Sequence, residues 1–499
     1  MSDTPDQTAE RTILGHPSGL YVLFFAELWE RFCYYGMRAL LALYVVAQFH
    51  KPQDQASVSY GAFTALIYAL GIFGGYIADR VLGYRRAIIT GGILMGIGEF
   101  MLMVPNEQMF LLGLATLMVG NGMFKPNISS LVGKLYKQGD PRRDGGFTIF
   151  YMGINMGAFL APLVCERISR AMGHDGQPDY RFGFMAAGIG MLLGIFCFGL
   201  GGKHLQGKGF APKGKEGVGP IIAVVIASCI VSPLMMLLLG HGNWVGPILY
   251  IFGALIVSYL IGVAFKEESV QRQRMFALLI LLAANVVFWM SFEQAGNSLN
   301  FFARDHVAAL TLGDWKMPFE WFQSVNAIFI VILGPVFAWL WVALHNKNAN
   351  PSIPLKFGMG LTGVGLGFVL LFAGIKGATE DGMVGWYVLT GLYLVHTCAE
   401  LCVSPVGLSM VTKLAPDRMV GMVMGSWFMS IAIGNYLAGV LSSTAGANIE
   451  AAIKANAPML DRLHIYENAF WPIVYMACGA GVALMLCSKL LNKIMHGIK

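Results

Sequence analysis

Apolar runs of about twenty residues, separated by short polar breaks, recur along almost the whole chain from Leu20 to Met495. A run of that length crosses a hydrocarbon core of roughly 30 Å as an α-helix. The breaks predict fourteen spans, near 18–49, 57–82, 87–104, 108–136, 146–170, 180–202, 217–240, 244–266, 272–304, 317–345, 353–376, 383–413, 418–445 and 466–493. The stretch 1–17 ahead of them is polar, with neither an apolar core nor a small-residue cleavage site, and reads as a loose cytoplasmic tail rather than a removable signal.

Composition makes lipid the solvent of this fold. Of 499 residues, 56% are hydrophobic and only 12% charged, where a soluble domain carries roughly a quarter charged residues. The formal charge of +6 does not point to nucleic acid, because the basic residues gather at alternate ends of the spans, among them Arg80, Arg85, Arg86, Lys134, Lys137, Arg142 and Arg143. By the positive-inside rule that imbalance puts both termini in the cytoplasm, as an even span count requires. All eight cysteines fall inside apolar spans, which argues against a disulfide framework; Cys398 and Cys402, one helical turn apart, read as packing residues rather than metal ligands.

The chain also repeats itself. Trp29, Phe32 and Gly36 return as Trp289, Phe292 and Gly296, and Gly74 and Ala78 as Gly334 and Ala338, all at an offset of 260. Pro126, Ser130 and Lys134 match Pro405, Ser409 and Lys413 at an offset of 279. Met152, Gly157 and Ala161 match Met429, Gly434 and Ala438 at an offset of 277. Spans 1 to 6 therefore correspond in order to spans 9 to 14, in the same orientation, and spans 7 and 8 stand outside the repeat. The expected organisation is a tail at 1–17, a six-helix bundle at 18–202, a linker with an inserted hairpin at 203–271, and a second six-helix bundle at 272–499. Parallel halves of this kind describe an all-α membrane protein of the major facilitator fold, with its ligand site near the bilayer midplane between the halves. The Gly-rich and Lys-rich stretch 203–218 reads as a flexible linker. Asp79, Arg80, Arg85 and Arg86, between spans 2 and 3, resemble that superfamily's cytoplasmic loop motif, which suggests a lock acting during conformational change; plain orientation charges explain the basic residues equally well.

Ionised side chains at the bilayer centre cost roughly 2.5 to 3.5 kcal/mol on insertion scales, so they normally face a cavity and a partner. The first span holds Glu27, Glu30, Arg31, Tyr34, Tyr35 and Arg38, with positions 27, 31, 34/35 and 38 on one helical face. A carboxylate one turn from a guanidinium is either a static salt bridge or a proton-coupling device, in which a substrate carboxylate competes for the arginine and leaves the acid to take up a proton. Lys125 lies in the first half, whereas Glu293 and Glu400 lie in the second, so a cavity between the halves would have one positive and one negative wall and would orient a zwitterion. Asn155 and Asn326 are candidate hydrogen-bond partners, with helix packing as the alternative. Tyr68, Trp289 and Trp427 can line side-chain pockets or simply pack helices. Glu99, Glu166 and His396 are embedded without an evident partner. No nucleophile–base cluster, phosphate loop or metal-ligand spacing suggests an enzyme.

The string Glu27-x-x-Glu30-Arg31-Phe-x-Tyr34-Tyr35-Gly36, together with Phe150 to Gly157 and Gly120 to Asn127, resembles the proton-coupled oligopeptide transporter family of that superfamily. The resemblance runs from about Gly19 to the last helix, and the extra central pair is similar to that of bacterial members. It implies that Arg31, Arg38, Lys125 and Tyr35 receive a peptide carboxylate while Glu400, Asn155 and Asn326 hold the amino terminus. It also implies that Glu27 and Glu30 are protonation sites and that Glu293 is a switching partner of Lys125 or Arg38. Animal members carry a histidine early in span 2 where this chain has Gly61, so coupling through that histidine is excluded. The expectation is a monomeric symporter of di- and tripeptides with protons in the bacterial inner membrane, needing no cofactor and no nucleic acid. A carrier of nitrate or of a drug-like solute, or a peptide sensor without transport, are the rival expectations.

Overall fold

The computed structural model describes residues 12–137, 140 and 142–498, apart from the side chains of Ile72, Asp144 and Asp417. Residues 1–11 of the expected tail lie outside the described residues. The rest of that stretch is ordered: β1 (Thr12–Ile13) and β2 (His16–Pro17) form an antiparallel hairpin, and the His16 ring bonds the Tyr136 hydroxyl at 2.9 Å.

Among the described residues fifteen α-helices follow: α1 (Ser18–Phe49), α2 (Gln53–Ile77), α3 (Tyr84–Leu102), α4 (Glu107–Lys134), α5 (Arg143–Ala171), α6 (Tyr180–Leu200), α7 (Gly219–Gly240), α8 (Gly242–Ala264), α9 (Ser269–Phe292), α10 (Ser298–His306), α11 (Val325–Asn346), α12 (Ile353–Ile375), α13 (Trp386–Leu414), α14 (Val420–Lys454) and α15 (Met459–Ile494). Each predicted span is helical. Among the described residues thirteen helical segments are long and apolar enough to cross a membrane; the remaining predicted span, α3, carries Arg85, Arg86 and Glu99 within its 19 residues. The only sheets among the described residues are two-residue pairings, including β3 (Val307–Ala308) beside β6 (Val384–Gly385) and β4 (Thr311–Leu312) beside β5 (Trp315–Lys316).

Three details differ from the hydrophobic pattern. The ninth span is two helices, α9 and α10, separated by a 3-10 turn at Glu293–Gly296 and by Asn297 at φ −125°, ψ −101°. Polar residues after 445 suggested a long loop, yet α14 runs to Lys454 and α15 begins at Met459. The Ala, Glu and Lys residues there are good helix formers, and a helix can outrun the hydrocarbon core that the apolar pattern measures. The linker 203–218 is held rather than loose. Arg85 Nε donates to the Lys208 carbonyl at 2.6 Å and its guanidinium lies 4.3 Å from the Phe210 ring. Arg86 donates to the carbonyls of Lys215, Glu216 and Gly217, and Lys215 Nζ to that of Arg80 at 2.9 Å.

The chain forms two compact units. The first takes in the chain up to Gly36 with Leu70–Ala161 and Arg181–Leu234; the second takes in Met37–Ala69, Pro162–Tyr180 and everything from Met235 on. Within the first, α3 packs along α4; within the second, α12 packs on α13 and α15, and α14 on α9, α8 and α15.

Candidate functional site

In the first unit, helical spacing puts Glu27 and Arg31 one turn apart on α1, and both are buried with Glu30, at 1%, 2% and 0% exposure. Buried charges are tolerated only when paired and hydrogen-bonded, and this group meets that condition. Arg31 Nε lies 3.3 Å from Glu27 Oε1, and the guanidinium grips Glu30 with two N–H groups, Nη2 at 2.6 Å from Oε1. Asn121 on α4 donates to the same Glu30 oxygen at 2.6 Å. Lys125, one turn further along α4 and half-buried, is within electrostatic reach of Glu27. Two acids therefore face two bases. The rings of Tyr34 and Tyr35 stand 5.4 and 6.0 Å from the Arg31 guanidinium. The second Glu27 oxygen is buried and has no hydrogen-bond partner among the described residues. An anion entering beside Arg31 would compete directly with Glu27 and Glu30. Asn155 on α5 is buried, and its amide nitrogen is taken by the Tyr151 carbonyl at 2.9 Å. Asp79 accepts from the Tyr84 hydroxyl, while Arg85 and Arg86 engage the linker as described above.

In the second unit, Arg38 of α1 forms an ion pair with Glu293 at the α9–α10 turn, the two side chains 12% and 3% exposed. Tyr60 of α2 accepts a hydrogen bond from Arg38 Nε. Glycine is required opposite: a Cβ on Gly296 would lie 1.8 Å from the Tyr60 hydroxyl. Two asparagines of the same turn region bond the other chain segment, Asn300 to the Ala39 carbonyl at 3.0 Å and Asn297 to that of Ser57 at 3.1 Å. Gly61 of α2 and Gly439 of α14 touch backbone to backbone. Nearby, Asn326 of α11 donates to Glu400 and to Thr397 of α13, each at 3.0 Å, and both Arg38 and Glu293 are within electrostatic reach of Glu400. Trp427 is 2% exposed, sits against Gly407 and meets Phe357 edge-on. Tyr68 is half-buried on α2. The Trp289 indole N–H is buried without a partner among the described residues.

Of the residues singled out in the sequence, the first unit thus gathers Glu27, Glu30, Arg31, Tyr34, Tyr35 and Lys125, and the second gathers Arg38, Glu293, Asn326 and Glu400. Sequence reasoning missed Asn121, which stands one turn before Lys125, and Tyr60, a single phenol on an apolar helix. The embedded residues without an evident partner have one. Cys33 Sγ donates to Glu99 at 3.4 Å, Glu166 bonds Arg170 at 2.6 Å and Trp321 at 3.0 Å, and His396 bonds the Val364 carbonyl at 3.0 Å. Among the described residues none of the eight cysteines forms a disulfide.

A family model described as the POT family matches residues 85–456. The chain belongs to the POT family. Its relatives are similar over nearly their whole length. The peptide transporter YePEPT of Yersinia enterocolitica is 35% identical, with 98% of this chain and 96% of that protein covered. Dipeptide and tripeptide permease B of Aeromonas hydrophila is 32% identical at the same coverage. A crystal structure of the peptide transporter POT in complex with sulfate aligns over 98% of both chains, at 33% identity and a TM-score of 0.81. This POT-family protein is therefore an integral membrane transporter of major facilitator architecture, and not an enzyme.

Proposed function

We propose that this POT-family protein carries di- and tripeptides into the cell together with protons by alternating access. The observation that carries the reading is the buried Glu27–Arg31–Glu30 group, held by Asn121 and neighboured by Lys125. Glu27 and Glu30 both pair with the one Arg31 guanidinium, with Lys125 close to Glu27, so a substrate carboxylate that takes a place on Arg31 displaces one of the two acids, which can then take up a proton. Arg31, Tyr34, Tyr35, Arg38 and Lys125 are the proposed carboxylate side. Glu400, Asn326 and Asn155 are the proposed amino-terminal side, with Tyr68 and Trp427 toward peptide side chains and the unpartnered Trp289 N–H as a further donor. Glu293, paired with Arg38, is the proposed conformational switch, and Asp79, Arg80, Arg85 and Arg86 the loop that follows it. The names of the Yersinia and Aeromonas relatives support the peptide as substrate class. The rocking bodies are the halves 18–202 and 272–499, in a bacterial inner membrane with both termini cytoplasmic, acting as a monomer without a cofactor.

Uptake of labelled dialanine into proteoliposomes tests this. An inside-negative potential supplies about 2.3 kcal/mol per charge per 100 mV and, with an inward proton gradient, should drive accumulation. Glu30→Gln should abolish accumulation yet keep counterflow exchange, since rocking does not need the coupling acid. Accumulation at the wild-type level by that variant would remove Glu30 from the mechanism, and no gradient-driven uptake by the wild type would remove the mechanism altogether.

A further inference from the structure

Where α11 and α13 end and α12 begins, the second unit contains a cavity of about 340 Å³. Its polar lining is Asn350, Lys356, Ser409 and Lys413, all close to those helix ends. The apolar lining reaches further: Phe337 lies nine residues inside the end of α11 and Leu401 thirteen inside that of α13, which at 1.5 Å per residue is about 14 and 20 Å deeper. The cavity is therefore amphipathic along the membrane normal, polar at interface depth and greasy within.

Lys356 decides what belongs there. It is 8% exposed, its ammonium lies 4.3 Å from the Trp341 ring, and among the described residues it has no ion pair. A buried ammonium without an anion is costly, and a second cation, Lys413, shares the cavity. Asn350 adds a buried carbonyl oxygen that lacks a donor. An anionic phosphate with a hydroxylated headgroup answers both deficits.

The repeat shows why this face is open. At the offset of 260, Phe337, Ala338 and Trp341 correspond to Ile77, Ala78 and Val81 of the first half. There, those three residues pack in one apolar cluster with Ile221 and Val224 of α7. The inserted helix covers this face in the first half, whereas in the second Ala338 is exposed and Phe337 and Trp341 are half-buried at the cavity wall.

We propose that this cavity holds an anionic phospholipid, its phosphate between Lys356 and Lys413 and an acyl chain along Phe337, Trp341 and Leu401. Basic pockets between membrane helices attract acidic headgroups in this way. Native mass spectrometry of the purified full-length transporter, with phosphatidylglycerol or phosphatidylcholine of the same chains added, reads the proposal out. The wild type should retain phosphatidylglycerol about tenfold better, and Lys356→Gln should erase the preference. Ala338→Trp, which fills the cavity and keeps both lysines, should lose the lipid as well. Equal retention of the two lipids, or a preference that survives both substitutions, overturns the proposal. Displacement of the lipid by an equal concentration of glycerol phosphate also overturns it, since that would make this a site for small anions.

Discussion

The Arg38–Glu293 pair offers the sharpest quantitative test, because it joins α1 of the first repeat to the α9–α10 turn of the second and both side chains are largely buried. Glu293→Gln takes away the carboxylate that Arg38 is paired with and leaves a neutral amide in its place, while the bond to Tyr60 remains and Glu400 stays within electrostatic reach. Removing one partner of a buried pair typically costs about 3 to 5 kcal/mol, most of it from the stranded charge. The double substitution Arg38→Gln with Glu293→Gln strands nothing and should recover most of that loss, giving a favourable coupling energy of about 2 kcal/mol or more in a double-mutant cycle. A loss of about 3 kcal/mol confined to the closed form shifts the open-to-closed ratio by about two decades. Two assays read this out: thermal unfolding of the four proteins in detergent, and labelling of Ser57→Cys by an impermeant maleimide with the native cysteines replaced. Ser57 is fully buried beside this pair, its carbonyl held by Asn297. Labelling should accelerate strongly in Glu293→Gln. A coupling energy below about 0.5 kcal/mol, the level of an exposed pair, together with unchanged labelling, would refute the reasoning.

Other consequences are simpler to measure. Gly61→Val places a side chain where a Cβ already lies 2.7 Å from the Gly439 Cα; overpacking of this kind costs about 1 to 3 kcal/mol and should lower the thermal midpoint, whereas an unchanged midpoint would mean that α2 and α14 do not touch there. Asn121→Leu removes a hydrogen bond to a charged group, worth about 1.5 to 3 kcal/mol, and should destabilise the transporter; if it does not, Asn121 does not hold Glu30. Arg86→Gln releases three carbonyls of the linker, so trypsin should cut after exposed Lys213 or Lys215 several times faster than in the wild type, and an unchanged rate would show that the linker is held by other contacts.

Much of this was legible because lipid simplifies the code. A hydrocarbon core demands helices of about twenty apolar residues, so every span could be placed, and it penalises charge, so Glu27, Glu30, Arg31, Arg38, Lys125, Glu293 and Glu400 stood out. The broken ninth helix was not legible, since an apolar run gives no sign of the turn at Glu293–Gly296, and Gly296 shows its purpose only once the Tyr60 hydroxyl is seen above it. The extension of α14 was hidden for the opposite reason: hydropathy reports where lipid ends, not where a helix does. The linker misled through composition. Glycine and lysine suggest slack, but its carbonyls are what Arg85 and Arg86 bind, and backbone acceptors leave no mark in sequence.

The contacts between the first-repeat segment 37–69 and the second repeat divide into two kinds, and the division bears on how such a contact can open. Gly61 against Gly439 and Gly446 against the backbone of Asp54 are close approaches of small residues, which in a membrane associate through packing and lose little on separation because no water-driven term holds them. Arg38 with Glu293, and the asparagines on backbone carbonyls, are directional and polar. Apolar side chains of equal volume in place of the ion pair would often bind as well or better, yet they would carry no dependence on charge. An ion pair set on a bed of glycines gives a seam whose closure is precise in geometry but conditional on two charges, so under the proposed mechanism a proton on Glu293, or a competing carboxylate on Arg38, weakens the directional part of the seam and leaves the glycine packing in place.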